Sequence, residues 1–305
     1  MSIKKKIKGL LTRIIRRGYW YNNVLFPDCK KFWNYNIFNT DVINLGSTSA
    51  VNAFLYDTIP LKCANWALST NPLRGDFAIL KNYYSYLNER NATVIIPLCP
   101  FSSLSGSYSI TDDRYYTLLY PSSIPAFSIN RQRKILSIKN NPIASYPILD
   151  IFSSLKAFLQ TKDKQMSEIQ MQEDATKWMT LWKKEFSITD FSYPLSILNL
   201  DGIEDASRIL NEMIEFCKDR HIRPAILIPP VYHTLGNILT QEIRELTIKP
   251  IIEKLEDKSV WFHNYMDDPL FTNDISLFRN SFLMNEKGAK LFTRQILKDI
   301  GLISD

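Results

Sequence analysis

A run of three hydroxyl residues stands where a nucleophile would be expected. Ser47, Thr48 and Ser49 follow Gly46 directly, at the point where a predicted strand gives way to a predicted helix. A hydroxyl in such a strand-to-helix turn attacks esters when a positioned imidazole or carboxylate takes its proton. A threonine can also attack, although its β-methyl group crowds a tight turn. The alternative is an ordinary turn whose hydroxyls cap the next helix.

A base for this chemistry would have to come from one of three histidines, His221, His233 and His263. His221 precedes a predicted strand and therefore belongs to the wrong end of a sheet. His233 lies just beyond that strand, and His263 ends the next strand with Asp267 and Asp268 close behind it. This arrangement predicts a base with an orienting carboxylate, although either histidine could instead be a structural residue.

Strand and helix patterns alternate along the chain and must position these groups. The predicted strands cover residues 41–46, 61–67, 92–99, 224–229 and 259–265. The predicted helices cover residues 50–57, 76–87 and 203–220, a stretch ending near 256, and residues 285–300. This order predicts an α/β fold with three layers around a doubly wound, mostly parallel five-stranded sheet. Ligands of such sheets bind beyond the carboxyl ends of the strands, where the hydroxyl run and His233 fall.

The alternation of predicted strands and helices is interrupted between residues 101 and 200. Residues 101–150 are rich in Ser, Tyr, Pro and Asn, whereas residues 151–186 have a charged, helical pattern. We therefore predict one α/β domain over residues 35–305, with a helical insertion at about 101–200 between the third and fourth strands. A basic amphipathic segment, residues 1–20, precedes this domain.

The positive charge of the chain is concentrated in that first segment. Residues 1–18 contain seven basic and no acidic residues, whereas the whole chain has a net charge of only +6. Apolar residues in this segment fall on one helical face: Ile3, Ile7, Leu10, Leu11, Ile14 and Ile15. The pattern predicts a helix that binds an anionic membrane surface, and no nucleic-acid partner. The alternatives are a helix packed on the domain or a frayed tail.

Other features of the sequence narrow the possible classes of function. Cys29, Cys63, Cys99 and Cys217 lie far apart, which predicts free thiols in a reducing compartment and no zinc site. No stretch has the pattern of a secretion signal or a membrane span, so we expect a cytoplasmic protein, peripheral on the inner leaflet of the cytoplasmic membrane. Because no phosphate loop or dinucleotide fingerprint occurs, we expect no cofactor.

Several segments together resemble a known family. Residues 44–50 (Asn-Leu-Gly-Ser-Thr-Ser-Ala) are similar to the nucleophile block of the SGNH hydrolases and O-acyltransferases, and residues 280–289 are similar to their last block. Residues 64–67, 79–84 and 94–102 resemble a degenerate branch associated with bacterial surface-polysaccharide gene clusters. The resemblance implies the SGNH fold, with Thr48 in the nucleophile position.

The resemblance also indicates other site residues and two departures from the family. It implies Asn71 and Ser102 as oxyanion or substrate donors, and we add Tyr232 and Asn280 as substrate-binding candidates. Asn280 stands where the family has its catalytic Asp, and Leu283 stands where it has its His. A leucine cannot accept a proton, so any base would have to come from elsewhere.

Two function hypotheses follow. One is an esterase or O-acyltransferase that modifies a glycan or lipid-linked saccharide precursor in capsule, O-antigen or exopolysaccharide biosynthesis. The other is a catalytically inactive SGNH-like protein that binds such a precursor or acts as a scaffold at the inner membrane. A nucleic-acid binder is disfavoured, because the basic residues surround an apolar stripe and do not line an aromatic groove.

Overall fold

Five parallel strands form one sheet in a computed structural model, which describes residues 3–105, 112–147 and 165–304. The strands are β1 Val42–Asn44, β2 Cys63–Asn65, β3 Thr93–Pro97, β4 Arg223–Ile228 and β5 Trp261–Asn264. Their order is β2-β1-β3-β4-β5, and every neighbouring pair is parallel. The predicted α/β class with a five-stranded parallel sheet is therefore confirmed. The order reverses between β1 and β3, which makes the carboxyl ends of these strands the expected ligand position.

Helices connect these strands and also form a separate group near the amino terminus. The α-helices are α1 Ile3–Ile15, α2 Lys30–Trp33, α3 Thr48–Ala53, α4 Leu73–Tyr83, α5 Ile129–Asn140, α6 Glu168–Glu185, α7 Ile197–Lys218, α8 His233–Ile238, α9 Gln241–Thr247, α10 Lys249–Glu253, α11 Pro269–Thr272 and α12 Glu286–Asp299. None of these helices has both the length and the apolar character needed to cross a membrane.

The described residues fall into two compact units. Residues 3–36 and 112–147 form the N-terminal unit, and residues 37–105 and 165–304 form the sheet unit. The predicted insertion is thus divided, because residues 112–147 cluster with the amino terminus whereas α6 belongs to the sheet unit. Of the predicted helical stretch 151–186, residues 151–164 lie outside the described part of the chain.

Both faces of the sheet are covered. Val42, Ile95 and Leu227 belong to one apolar cluster with residues of α3 and α12. Neighbouring strand residues point to the opposite face, where right-handed crossovers toward β3, β4 and β5 require α4, α7 and α10 to lie. Helix α7 packs against both α4 and α10, as this arrangement predicts. All five residues of β3 are buried, in agreement with its run of apolar residues without alternation.

Two helices differ from the sequence prediction in ways that affect the site. The stretch predicted to be helical up to about residue 256 is three short helices, α8 to α10, with breaks near Thr240 and Ile248. Helix α4 begins at Leu73, three residues before the predicted start, directly after Pro72. Asp76 is therefore a residue of the first turns of α4 and is buried at the sheet edge.

Aromatic packing organises the N-terminal unit. The ring of Phe26 lies edge-on against both Tyr21 and Trp33, with centroids 4.9 and 5.2 Å apart. The Tyr21 hydroxyl donates to the carbonyl of Lys139 at 3.1 Å, and the Trp33 indole donates to the hydroxyl of Thr117 at 3.1 Å. These contacts join the segment after α1 to the residues around α5.

Candidate functional site at the carboxyl edge of the sheet

The turn after β1 depends on Gly46. Its φ is +111°, and a Cβ atom at this position would lie 2.7 Å from the Cβ of Ala50. Only glycine adopts this backbone without strain and without displacing α3. The turn therefore brings Ser47 and Thr48 to the carboxyl edge of the sheet, as the sequence predicted.

The hydroxyls of this turn hold the neighbouring loop. The Oγ of Ser47 accepts the backbone N–H of Asn71 at 3.2 Å, and the Oγ1 of Thr48 accepts the backbone N–H of Thr70 at 3.1 Å. Ser47 occupies the position before α3 but makes no side-chain capping bond, so the predicted helix cap is wrong. Ser49 is buried, with 6% of its surface exposed. Ser47 and Thr48 thus tie the loop after β2 to the loop after β1.

Asp76, a buried residue that was not among the sequence-predicted site residues, adds a further connection between these segments. Oδ1 of Asp76 accepts the backbone N–H of Gly46 at 3.0 Å and also accepts the side-chain amide of Asn71. Burial raises the pKa of Asp76 to about 7, although both hydrogen bonds act in the opposite direction. The predicted donor Asn71 therefore has an amide that is already directed at Asp76.

Two asparagines form a polar layer beneath the turn. The amide nitrogen of Asn44 donates to Oδ1 of Asn65 at 3.1 Å, and Oδ1 of Asn44 accepts the Tyr56 hydroxyl at 3.1 Å. The amide nitrogen of Asn65 donates to the carbonyls of Ala50, Val51 and Phe54 in and after α3. The two asparagines pair in register as the last residues of β1 and β2. They fix the position of α3 and, with it, that of Thr48.

His233 has an orienting carboxylate, but one that the sequence analysis missed. Its Nε2 lies 3.0 Å from Oε1 of Glu168, and the hydroxyl of Tyr232 donates to Oε2 of the same carboxylate at 2.6 Å. Burial raises the pKa of Tyr232, and the hydrogen bond to Glu168 adds to this effect. Glu168 is the first residue of α6 and lies between Ser167 and Gln170, which form a capping box. That capping pattern is visible in the sequence, but the partner of Glu168 is not.

The predicted association of His263 with Asp267 or Asp268 is wrong. His263 is exposed within β5, and its ring packs on Tyr265 with centroids 4.2 Å apart. Both carboxylate oxygens of Asp267 bind the guanidinium of Arg244. The side chain of Asp268 caps α11 by accepting the N–H of Leu270 at 2.9 Å. These carboxylates therefore stabilise the fold around β5 and do not orient the imidazole.

Residues 280–283 form a turn that is held in place by side-chain hydrogen bonds. Oδ1 of Asn280 accepts the backbone N–H groups of Phe282 and Leu283, at 3.0 and 2.7 Å. Leu283 is buried, with 8% of its surface exposed. Ser281 donates its hydroxyl to Oδ2 of Asp174 at 2.7 Å, which ties the turn to α6. Asn280 thus uses its amide oxygen within its own turn, and Leu283 contributes a buried apolar side chain.

Ser102 also bonds within its own loop. Its Oγ accepts the backbone N–H of Cys99 at 2.8 Å and lies 3.3 Å from the sulfur of Cys99. Burial raises the pKa of the Cys99 thiol, which therefore stays protonated near neutral pH. The Ser102 hydroxyl is thus used in a hydrogen bond within the loop after β3.

These contacts limit the chemistry that the carboxyl edge of the sheet can carry out. Across the described ranges, neither the Ser47 nor the Thr48 hydroxyl is hydrogen-bonded to a histidine or a carboxylate. Within the same ranges, no cluster of His, Cys, Asp or Glu side chains has a geometry that could hold a metal ion. The edge instead presents the half-buried hydroxyls of Ser47 and Thr48 and the exposed Glu168 carboxylate, which can hydrogen-bond to the hydroxyl groups of a ligand.

Comparison with known proteins yields no assignment. No family model matches the chain, and no curated protein matches it.

Proposed function

We propose that this chain is an SGNH-like protein of bacterial capsule, O-antigen or exopolysaccharide biosynthesis that binds a glycan or lipid-linked saccharide precursor without transforming it. The observation that carries this proposal is the use of the turn hydroxyls. Ser47 and Thr48 accept N–H groups of the next loop, while Asn280 and Leu283 stand where a catalytic acid and base would be. An alcohol without a base is a poor nucleophile near neutral pH.

The SGNH assignment within this proposal is supported by the strand order and by the position of the turn. The order β2-β1-β3-β4-β5 puts the Gly46 turn at the point where the sheet reverses. The motif directly after β1 and the Asn280–Ala289 segment, which leads into the first turn of α12, also support this part of the proposal. Residues 101–200 are then an insertion between β3 and β4, and the protein works in the cytoplasm, where such a precursor would be met.

A labelling experiment tests the absence of catalysis. Purified chain is incubated with a fluorophosphonate probe and with p-nitrophenyl acetate, alongside Thr48→Ala and Ser47→Ala. The proposal expects no covalent labelling and equal ester hydrolysis by all three proteins. Labelling of the wild-type chain that is lost in Thr48→Ala would contradict it.

A binding experiment tests the ligand class. The chain is applied to an array of capsule, O-antigen and exopolysaccharide fragments, with Thr48→Ala as the site variant and Thr176→Ala as the control. Thr176 is exposed on α6, and its hydroxyl bonds only within that helix, to the carbonyl of Gln172. We expect retention on a subset of fragments that is weakened by Thr48→Ala alone. Absence of retention on every fragment would contradict saccharide binding.

One observation favours a second candidate, an esterase or O-acyltransferase. The 3.0 Å contact between His233 Nε2 and Glu168 Oε1 is the geometry of an oriented imidazole base. This candidate expects labelling or hydrolysis that is abolished by His233→Gln and reduced about tenfold or more by Glu168→Gln. Activity that survives both substitutions would exclude the pair as its base.

A further inference from the structure

Helix α1 presents an apolar stripe that the described residues leave about half exposed. Between 44% and 57% of the surface of each stripe residue is exposed, and these residues are Ile7, Leu10, Leu11 and Ile14. They are spaced at i, i+3, i+4 and i+7, so they share one face. By contrast, Ile15 and Trp20 are buried, with 7% and 9% exposed. The residues at and just after the carboxyl end of α1 are thus packed into the N-terminal unit, whereas about half of each stripe side chain stays exposed among the described residues.

Basic side chains border this stripe. With about 100° per residue, Lys6 and Arg13 fall on one flank of the stripe and Lys8 falls on the other, and Arg17 follows in the turn after α1. All four side chains are exposed. Long cationic side chains in such positions can lie along an apolar surface and extend their charges to a polar boundary.

The orientation of α1 is fixed by bonds at its carboxyl end. The guanidinium of Arg16 donates to the carbonyls of Lys139 and Asn140 at the end of α5, at 3.0 and 3.1 Å. The amide of Asn22 donates to the carbonyls of Arg16 and Gly18. A frayed tail would not be held in this way. The stripe is thus pre-oriented, which lowers the entropic cost of binding a surface.

A crevice continues the stripe toward the body of the unit. Its volume is about 350 Å³, and its walls are formed by Ile7 and Leu11 of α1 and by Ile143 and Ala144 after α5. Lys8 and Asn141 complete the lining. The apolar surface beside the stripe is therefore recessed and can accept part of an acyl chain.

The charge of the whole unit favours an anionic partner. The described ranges of the N-terminal unit, residues 3–36 and 112–147, contain 14 basic and 3 acidic residues. Nucleic acid would stack its bases on a row of exposed aromatic rings, but of Tyr19, Trp20 and Tyr21, which follow α1, only Tyr19 is exposed, at 42%. We propose that the N-terminal unit docks on an anionic phospholipid bilayer, with the α1 stripe in the interface and the flanking cations at the headgroups.

Vesicle co-sedimentation with the full chain tests this proposal. Neutral phosphatidylcholine vesicles are compared with vesicles that also contain phosphatidylglycerol, at low and high salt. We expect binding to the anionic vesicles alone, weakened by salt. Lys6→Gln with Arg13→Gln is expected to reduce the affinity about tenfold, and Leu10→Asn with Ile14→Asn at least as much.

Matched controls separate this effect from general changes in charge or apolarity. Leu198→Asn removes a side chain that is 77% exposed in the sheet unit, and Lys177→Gln removes an exposed charge on α6. Both controls are expected to bind vesicles like the wild-type chain. Circular dichroism checks that each variant is folded.

Three outcomes would overturn the proposal. The first is equal recovery of the wild-type chain and both α1 variants with anionic vesicles. The second is tighter binding to single-stranded RNA that does not change in Leu10→Asn with Ile14→Asn. The third is a wild-type dimer that becomes a monomer in this variant and does not bind vesicles, which would make a second copy of the chain the partner of the stripe.

Discussion

The backbone N–H of Gly46 donates to Oδ1 of Asp76 at 3.0 Å, which joins the turn after β1 to a residue of helix α4 at the edge of the sheet. The same oxygen accepts the amide of Asn71. One carboxyl group thus joins the turn after β1 to the start of α4. Because Asp76 is buried, its protonation state affects the stability of the whole edge.

The raised pKa of Asp76 predicts a stability that falls with increasing pH. The folded protein holds this proton more tightly than the unfolded chain, because the pKa is about 7 when folded and near 3.8 otherwise. The stabilisation is therefore complete below about pH 4 and is lost as the pH rises through about 7. We expect the free energy of unfolding to fall by about 2 kcal/mol between pH 5.5 and 8. Urea unfolding at several pH values measures this change.

Asp76→Asn is the control for that experiment. An asparagine in this position can still accept the N–H of Gly46 but has no charge to bury. Its unfolding free energy should lack the component of pH dependence that the carboxyl contributes. Parallel profiles for the wild-type chain and Asp76→Asn would show that Asp76 titrates normally.

The asparagine pair at the ends of β1 and β2 predicts a stability effect at Asn65. Asn65→Ala removes the donors to the carbonyls of Ala50, Val51 and Phe54, and it also removes the partner of Asn44. We expect a loss of about 3 kcal/mol in the free energy of unfolding, because buried groups lose their partners. Asn237→Ala, at an exposed site in α8, should change it by less than about 0.5 kcal/mol. Similar values for the two variants would contradict a structural role for the pair.

The sheet could be predicted from the sequence because each predicted strand is a mostly apolar run that is bounded by residues of a different chemical type. All five predicted strands occur: β4 has its predicted length, shifted by one residue, and the other four are shorter than predicted. Strand β3 is buried at every residue, as its composition indicated. The breaks among α8, α9 and α10 were missed because the apolar spacing continues across them. The hydroxyl turn was found for the same reason as the strands, since Gly46 marks the end of β1.

The partners at the edge could not be predicted, because they depend on contacts far apart in the chain. Gly46 and Asp76 are separated by 30 positions, and Tyr232 and Glu168 by 64. Asp267 lies near His263 in the sequence, but its carboxylate binds Arg244, which is 23 positions away. Sequence proximity suggested the wrong partner for His263, and no sequence signal indicated Glu168 as the partner of His233. Only the folded structure shows which carboxylates are already engaged in contacts with other residues.

The role of Thr48 as an anchor predicts a local effect on the loop after β2. Thr48→Val keeps the shape of the side chain but removes the oxygen that accepts the N–H of Thr70. We expect faster hydrogen exchange at the Thr70 amide and a loss of about 1 kcal/mol in stability. Thr176→Val, on the exposed face of α6, should leave exchange at Thr70 unchanged. Unaltered exchange in Thr48→Val would show that the Thr48 oxygen does not hold the loop.

The first turn of α12 predicts a strong requirement for glycine at position 288. A Cβ atom at Gly288 would lie 2.1 Å from the carbonyl oxygen of Leu277, so an alanine would force α12 away from the segment that contains Leu277. We expect Gly288→Ala to lower the free energy of unfolding by more than about 3 kcal/mol, or to abolish soluble expression. Gly9 in α1 offers the matched control, because nothing lies within 4 Å of the corresponding Cβ position. Gly9→Ala should keep the wild-type unfolding midpoint or raise it, since alanine favours a helix by about 1 kcal/mol over glycine. Urea unfolding of both variants decides the matter, and a Gly288→Ala protein as stable as Gly9→Ala would contradict the close approach of α12 to Leu277.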